Sequence, residues 1–256
     1  MGMVLAIPAA AQEIVTVAPR SGVTQSFFVA NMGERKAEAV ALLYIGGGGA
    51  IRLRMEDGKP SFGQNNFLPR ARREFIRNGV LPVVLDTPSD HAAEISDQFR
   101  TSEAHVADAR AVVAEMKRRY PDVPIFIVGT SRGTLSAAHL GAALGNEVSG
   151  VVLTASYFQT AGRNPRPVLI GYGWHKIRSR LLFVHHASDG CFGTPYHEAQ
   201  RAAGRDYPLI TVNGGKPPES GPCDPLSAHG FFGREAETVD AIAAWMLGRP
   251  FAKEIQ

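Results

Sequence analysis

Short apolar runs rich in β-branched residues alternate with helical patterns along most of this chain. This alternation is typical of a largely parallel β-sheet with helices on both faces. Eight strands are predicted, at residues 13–17, 25–30, 39–45, 81–86, 125–128, 150–154, 181–185 and 207–212. Five helices are predicted, at residues 67–77, 102–119, 133–144, 195–203 and 234–247. No helix separates the first two strands, so we expect an antiparallel hairpin ahead of the parallel strands.

The composition limits both the domain organisation and the classes of partner. A chain of 256 residues with 45% hydrophobic content can bury a full core, and it suits one large domain, which we place at residues 12–256. It has no apolar run of the length that a membrane-spanning helix needs, so no membrane span is expected. The net charge is only +3, and the basic residues are scattered. A nucleic-acid partner is therefore not expected.

The first residues have part of the pattern of an export signal. A short apolar run precedes Ala9, Ala10 and Ala11, which fit a small-residue cleavage site, but the basic start of a complete signal is missing. We interpret residues 1–11 as a signal-peptide remnant, which gives a periplasmic or secreted protein. A disordered apolar lead-in to a cytoplasmic protein is the alternative.

The chain has two cysteines, Cys191 and Cys223. An even number of cysteines in an exported chain permits one disulfide, whereas their spacing matches no zinc site, which needs four clustered ligands. Two unpaired buried thiols are the alternative. A bond between them would close a loop of about 30 residues and contribute roughly 3 kcal/mol by restricting the unfolded chain.

A serine lies in a tight turn between a predicted strand and a predicted helix, in the sequence Gly129-Thr-Ser-Arg-Gly133. Glycines on both sides allow the backbone to crowd itself, and a helix N-terminus beneath Ser131 favours developing negative charge. A serine hydroxyl is a weak nucleophile that needs an adjacent base, and the base needs orienting. Because this pentapeptide also occurs by chance, a turn residue without chemistry is the alternative for Ser131.

Two later loops supply an acid and a base for this serine. Asp189 follows the predicted strand that ends at residue 185, and His229 lies just before the last predicted helix. Asp86 and Asp224 compete as the acid, but Asp86 ends a strand, where it suits a cap or loop start, and Asp224 lies on the histidine loop itself. We therefore favour Asp189.

Seven other histidines compete with His229 as the base. His105 and His139 fall within predicted helices and suit packing or surface positions. His185 and His186 are adjacent on a predicted strand, so their side chains point to opposite faces and cannot hold one metal together. We predict no metal and no cofactor. The remaining three have no partner pattern and are His91, His175 and His197.

With its serine, aspartate and histidine in this order, the sequence resembles the α/β-hydrolase family, whose triad runs Ser, Asp or Glu, His, with the serine on a nucleophile elbow. The resemblance extends from the hairpin to the last helix. It implies the α/β-hydrolase fold, with a mostly parallel eight-stranded sheet, helices on both faces and a minimal cap. It also implies Ser131 as nucleophile, His229 as general base and then acid, and Asp189 as the carboxylate that orients His229. A bond between Cys191 and Cys223 would tie the loop of the acid to the loop of the base.

The same resemblance implies an oxyanion hole. In the family one donor is the backbone amide of the residue after the nucleophile, here Arg132. The other lies on the turn after the third strand, where residues 46–49 are all glycine, and we take Gly47 as that donor. Many relatives carry His-Gly here, whereas this chain has Ile45 before the glycines. A flexible turn without a binding role is the alternative for this run.

The segment 155–180 lies where many relatives insert a cap domain, and its length allows only a loop or a short lid. An open mouth suits small or extended esters. We therefore expect a serine hydrolase that cleaves carboxylic esters of small molecules through an acyl-enzyme. Cleavage of amides or peptide bonds by the same residues is one alternative, and a non-catalytic binding protein on this scaffold is another.

Overall fold

A nine-stranded sheet forms the centre of the computed structural model, which describes residues 12–160 and 166–256. The predicted signal-peptide remnant, residues 1–11, lies outside the described residues. The strands in chain order are β1 (Glu13–Arg20), β2 (Val23–Val29), β3 (Ala39–Tyr44), β4 (Arg54–Glu56), β5 (Lys59–Ser61), β6 (Val80–Pro88), β7 (Ile125–Ser131), β8 (Gly150–Ser156), β9 (Arg180–His186), β10 (Leu209–Val212) and β11 (Glu254–Ile255).

The sheet has the order β1-β2-β6-β3-β7-β8-β9-β10-β11, and β4 and β5 form a separate hairpin. The expected antiparallel hairpin is confirmed, because β1 pairs with β2, and β2 with β6, in antiparallel register. From β6 onward every neighbouring pair is parallel. The carboxyl ends of β3, β7 and β9 therefore lie at one edge of the sheet, where ligands bind in open α/β folds.

Helices cover both faces of this sheet. α4 packs on β1 and on α5, whereas α2 packs on β6 and α7. No helix within the described ranges is long and apolar enough to span a membrane. The helices are α1 (Phe67–Arg70), α2 (Arg72–Arg77), α3 (Asp97–Arg100), α4 (Glu103–Arg119), α5 (Gly133–Leu144), α6 (Tyr196–Ala203) and α7 (Glu235–Met246).

The number of strands differs from the prediction of eight. The ninth strand of the sheet is β11, whose two residues are too few to show an alternating pattern, and it joins the edge beside β10. The prediction also lacked the β4–β5 hairpin. Its turn, Asp57-Gly58, has both φ angles positive, at 48° and 72°, and Asp-Gly is a strong hairpin signal that the sequence does contain.

Two helical segments also differ from the prediction. The helix predicted at residues 67–77 is divided at Ala71, where ψ is 6° and the backbone leaves the helical region, so that α1 and α2 are separate. α3 has only four residues, too few for a helical pattern, although Ser96 caps it by accepting from the amide of Phe99 at 3.0 Å. Between β8 and β9 the described residues 157–160 and 166–179 contain one short 3₁₀ turn, Trp174–Lys176.

The core lies where the central strands are buried on both faces, as expected for parallel strands between helical layers. Every residue of β3 and β8 is buried. Helix α5 approaches the sheet closely because it is rich in small residues. A β-carbon on Gly141, for example, would lie 2.4 Å from the Cγ2 of Val151. This close packing fixes the N-terminus of α5, which immediately follows Ser131.

Candidate active site

Ser131 lies on a strained turn between β7 and α5. Its φ is +52°, in the left-handed region that residues other than glycine seldom adopt, and such strain is concentrated at functional sites. The flanking glycines make this turn sterically possible. A β-carbon on Gly133 would lie 2.2 Å from the carbonyl oxygen of Tyr44, and one on Gly129 would lie 2.5 Å from the carbonyl oxygen of Gly133. The turn therefore has a steric reason for both glycines.

Thr134 supports the same turn from the first turn of α5. Its hydroxyl donates to the carbonyl oxygen of Ser131 at 2.6 Å and accepts from the amide of Tyr157 at 3.0 Å. Arg132, the residue after Ser131, has helical backbone angles and occupies the N-cap position of α5 without a capping hydrogen bond from its side chain. Amide groups at a helix N-terminus have no intrahelical partner, so they are free to bind an anion.

His229 lies in a short 3₁₀ turn, Ala228–Gly230, which the surrounding loop fixes. The hydroxyl of Ser227 accepts from the amide of His229 at 3.2 Å. A β-carbon on Gly230 would lie 2.0 Å from the carbonyl oxygen of Pro225, so only glycine fits after His229. Phe231 then adopts φ +55° and is fully buried, which anchors the turn in the core.

Asp189 and His229 are in contact. The Oδ2 of Asp189 lies 3.0 Å from the Nδ1 of His229, and the side chain of Asp189 is fully buried. Thr194, which is also fully buried, donates its hydroxyl proton to the same oxygen at 2.8 Å and lies 3.1 Å from the Nδ1. Because a carboxylate can only accept, this network assigns the proton of the neutral imidazole to Nδ1 and leaves Nε2 as an acceptor.

Ser131 and His229 line one small cavity of about 40 Å³. Gly46 and Gly47 line it too, and we call Gly46–Gly49 the glycine turn. A β-carbon on Gly46 would lie 2.7 Å from the Cβ of Ser131, so the turn packs directly against the serine. Gly47 is exposed, with φ +57°. The structure thus brings the predicted serine, the predicted histidine and the predicted glycine to one cavity.

The predicted disulfide is confirmed, with an S–S distance of 1.99 Å and a Cα–Cα distance of 4.5 Å between Cys191 and Cys223. The amide of Cys191 donates to the Oδ1 of Asp189 at 2.9 Å. Cys223 lines the cavity beside His229. The bond therefore joins the loop that holds the carboxylate to the loop that holds the imidazole.

The competing carboxylates lie elsewhere. Asp86 accepts from the amides of Ile51 and Leu53 at 2.9 and 2.8 Å, and it thereby fixes the chain that follows the glycine turn. Asp224 is exposed on the histidine loop. Neither has a hydrogen bond to His229 among the described contacts, so Asp189 is the acid that this structure brings to the imidazole.

His185 and His186 have structural partners. His185 is fully buried and accepts from the amide of Ser156 at 2.6 Å, and burial lowers its pKa to about 3, so the ring stays neutral. The Nδ1 of His186 accepts from the amide of Ser188 at 3.0 Å, and its Nε2 therefore donates to the carbonyl oxygen of Gly214 at 2.9 Å. In the described part of the chain, no group of three His, Cys, Asp or Glu side chains could hold a metal ion.

Thr134 and Thr194 are site residues that the sequence reasoning missed. Threonine has no motif of its own, and both act through contacts with residues on other elements or turns. A weak signal exists for Thr194, because it lies five residues after Asp189 in the same loop and directly before the helix start at Pro195. The amide of Thr194 donates to the carbonyl oxygen of Cys191 at 3.1 Å and closes a turn. This turn brings the hydroxyl of Thr194 back to the carboxylate of Asp189.

Comparisons with known proteins identify the fold of this chain. The family model for serine aminopeptidase, S33, matches residues 95–207. The structure is similar to Est1E from Butyrivibrio proteoclasticus, with 14% identity and a TM-score of 0.58 over 92% of this chain and 98% of that one. The chain therefore has the α/β-hydrolase fold. No curated protein sequence matches it.

Two further solved structures share this α/β-hydrolase fold. XC6422 from Xanthomonas campestris, described as an α/β serine hydrolase without lid, has 14% identity and a TM-score of 0.58 over 93% of this chain and 94% of that one. EstE1, a carboxylesterase cloned from a metagenomic library, has 17% identity and a TM-score of 0.57 over 94% and 90%. At such identities the likeness extends to the fold alone, and the chemistry has to follow from this chain's own residues.

Proposed function

We propose that this α/β-hydrolase is a serine hydrolase that cleaves carboxylic esters through an acyl-enzyme. One observation carries the proposal. Ser131, on its strained turn, and His229 line the same cavity, and the Nδ1 of His229 contacts the buried side chain of Asp189. A nucleophile, a base and a group that orients the base are the three parts that this chemistry needs. A histidine and a serine that were only packing residues would have no reason to share this arrangement.

In the first step the Oγ of Ser131 attacks the ester carbonyl carbon while the Nε2 of His229 takes the hydroxyl proton. The carbonyl π bond opens and its electron pair moves to oxygen, giving a tetrahedral intermediate. Asp189 holds the Nδ1 proton and stabilises the imidazolium that forms. Thr194 keeps the carboxylate in place through its own hydrogen bond.

The negative oxygen of the intermediate needs fixed donors. We propose that these donors are the backbone amides of Arg132 and Gly47. Arg132 directly follows Ser131, and Gly47 lines the cavity of Ser131. Preorganised amides of this kind stabilise charge that develops in the transition state, because they need not reorient during the reaction. The N-terminus of α5 adds a favourable dipole at the same place.

The intermediate then collapses and the bond to the leaving alkoxide breaks as the Nε2–H of His229 protonates it. An acyl group remains on Ser131. Water, deprotonated by the Nε2 of His229, attacks the acyl carbon in the second half-reaction. Collapse of the second intermediate releases the carboxylic acid and returns the proton to the Oγ of Ser131.

The comparisons support both the ester assignment and a second candidate. The similar solved structure EstE1, which is named a carboxylesterase, favours esters. The family model described as serine aminopeptidase favours cleavage of an amide bond next to a free amino group. Because the same three residues can serve both reactions, the leaving group has to be tested directly.

A fluorophosphonate probe tests whether the site reacts at all, because it forms a covalent bond to an activated serine. We expect the wild type to be labelled at Ser131 and the Ser131→Ala variant to remain unlabelled. Ser149→Ala is the control, since Ser149 lies just before the start of β8 and does not line the cavity. An unlabelled wild type would favour a non-catalytic binding protein.

A substrate panel then separates the two enzyme candidates. p-Nitrophenyl esters of increasing acyl length are compared with p-nitroanilides of the same acyl groups and of single amino acids. We expect ester hydrolysis at a much higher kcat/KM than anilide hydrolysis. Faster hydrolysis of aminoacyl anilides would favour an aminopeptidase.

The disulfide also supports a proposal about location. Disulfides persist in oxidising compartments, so we propose that the protein is periplasmic or secreted. Expression of residues 1–256 with a C-terminal tag, followed by cell fractionation and alkylation of free thiols, tests this. Reduced protein confined to the cytoplasm would contradict it.

A further inference from the structure

A buried arginine lies directly behind the glycine turn. Arg100 is the last residue of α3, and only 1% of its surface is exposed. Its Nη2 donates to the carbonyl oxygen of Gly47 at 3.0 Å, and its Nη1 donates to the hydroxyl of Ser136 at 3.1 Å. Arg100 therefore connects the glycine turn to α5, the helix that begins after Ser131.

The charge of Arg100 is not neutralised by an ion pair within the described residues. The nearby carboxylate of Asp97 binds Arg132 instead, with 2.7 Å between Oδ1 and Nε. The Nε of Arg100 has no hydrogen-bond partner in the part of the chain that the structure describes. Burial lowers the pKa of Arg100 to about 9, and the charge of Arg132 acts in the same direction. Because an unpaired buried cation is costly, packing alone would favour an apolar residue here.

Three of the four carbonyl groups of the glycine turn accept hydrogen bonds. That of Gly46 accepts a hydrogen bond from within the turn at 3.2 Å, and that of Gly48 accepts from the amide of Ile95 at 2.8 Å. The carbonyl oxygen of Gly47 accepts the hydrogen bond from Arg100. In a trans peptide the carbonyl and the next amide share one plane, so the bond to the carbonyl of Gly46 fixes the amide of Gly47, and the bond from Arg100 fixes the peptide between Gly47 and Gly48. A run of glycines has no side chains that would resist a peptide flip.

We propose that Arg100 is a positioning residue for the hydrolysis: it holds the glycine turn with its amides available to the Ser131 cavity, and its charge favours the oxygen that becomes negative. This inference rests on the proposed function. Released from Arg100, the carbonyl of Gly47 could rotate toward the cavity and repel that oxygen.

Two substitutions separate this role from simple packing. Arg100→Met removes the donors and the charge while keeping a long side chain, and Arg100→Lys keeps a charge but loses the guanidinium fork. Arg20→Met is the structural control, because the ion pairs of Arg20 go to Asp90 and Asp108 rather than to the glycine turn.

The measurements are kcat and KM for p-nitrophenyl acetate and the inhibition constant of an aryl trifluoromethyl ketone. The serine hydroxyl adds to this ketone and gives a tetrahedral adduct with a negative oxygen. In Arg100→Met we expect kcat to fall about 100- to 1000-fold with little change in KM. The inhibition constant should rise in parallel with that loss. Arg20→Met should lower thermal stability and leave the inhibition constant unchanged.

Arg100→Lys allows a second measurement, the pH dependence of kcat/KM, which a purely structural role of Arg100 would not change. Lysine loses its proton at a lower pH than arginine, so the alkaline limit of kcat/KM should move to lower pH than in the wild type. The charged and titratable groups around this position are the same in both proteins. They are Arg132, Asp97, Glu94 and His105.

A folded Arg100→Met variant whose kcat and inhibition constant stay within about threefold of the wild type would overturn the role of Arg100. If circular dichroism shows that Arg100→Met does not fold, Arg100→Lys decides: an unchanged alkaline limit together with an unchanged inhibition constant overturns it. An active wild type with unaffected variants contradicts only this inference. A wild type that neither hydrolyses esters nor reacts with fluorophosphonate contradicts the proposed function as well.

Discussion

The Oδ2 of Asp189 lies 3.0 Å from the Nδ1 of His229, inside a site where the carboxylate is fully buried. Replacing Asp189 by asparagine should keep the shape of the site, but the amide can donate to Nδ1 and so favours the tautomer with its proton on Nε2. We expect kcat for ester hydrolysis to fall by about 10³- to 10⁴-fold. Asp224→Asn is the matched control on the histidine loop and should stay near the wild-type rate. Equal rates for the two variants would contradict the role of Asp189.

Thr194 contacts both members of that pair, and its contribution is testable on its own. Thr194→Val keeps the shape and removes the hydroxyl, which leaves the Oδ2 of Asp189 with one donor fewer. We expect kcat to fall about tenfold and stability to fall by about 1–2 kcal/mol. Thr194→Ser retains the hydroxyl and should recover most of the rate. A valine variant as active as the serine variant would show that the hydroxyl has no part in orienting Asp189.

Local sequence patterns predicted the elements whose structure depends on neighbours in the chain. The helix predicted at residues 133–144 is observed as Gly133–Leu144, because a glycine-flanked turn and an apolar helical pattern identify both of its ends. The predicted pairing of Cys191 with Cys223 is likewise observed. Here the number of cysteines left only one internal pair to form.

Contacts between distant segments could not be predicted in this way. Arg100 is 53 residues from Gly47 in sequence, and its helix α3 is too short to show a pattern. Thr194 reaches Asp189 only because of how one loop folds back. The two-residue strand β11 joins the sheet because the chain returns to the edge of β10. Each of these depends on how elements pack, and no local pattern in the sequence encodes that.

The disulfide is expected to support both stability and activity. Reduction, or the double variant Cys191→Ser/Cys223→Ser, opens a loop whose ends are 32 residues apart and frees the loops of Asp189 and His229. The chain-entropy relation gives a loss of about 3–4 kcal/mol, and we expect kcat to fall because the two side chains lose their fixed separation. Since Cys223 is exposed, reductant can reach the bond without unfolding.

Thermal denaturation and ester hydrolysis, each with and without dithiothreitol, measure these two effects. Mass spectrometry after thiol alkylation should first show that the starting protein is oxidised. The double variant serves as a control, because dithiothreitol should leave it unaffected. If oxidised wild type loses its disulfide in the assay and keeps its full rate, the bond has no role in holding the site.

Buried neutral histidines should make the protein less stable in acid. Burial lowers the pKa of His105 and of His185 to about 3, whereas histidine in an unfolded chain titrates near about 6.5. Between these values the unfolded chain binds more protons, so the free energy of unfolding falls as the pH is lowered from about 6.5. Each histidine contributes up to about 1.4 kcal/mol per pH unit.

His105→Phe tests this, because neither ring nitrogen of His105 has a hydrogen-bond partner within the described residues, and the ring packs against Tyr44 and Phe99. Between about pH 6.5 and 4.5, the free energy of unfolding of the variant should depend less steeply on pH than that of the wild type. The difference in slope should correspond to the uptake of up to one proton fewer on unfolding. It should also gain about 1–3 kcal/mol at neutral pH by removing unpaired polar atoms. Urea denaturation at several pH values measures both, with the exposed His197→Gln as a control. An unchanged pH slope in His105→Phe would mean that His105 is already protonated in the folded protein, against the neutral state that its burial and the nearby charge of Arg100 favour.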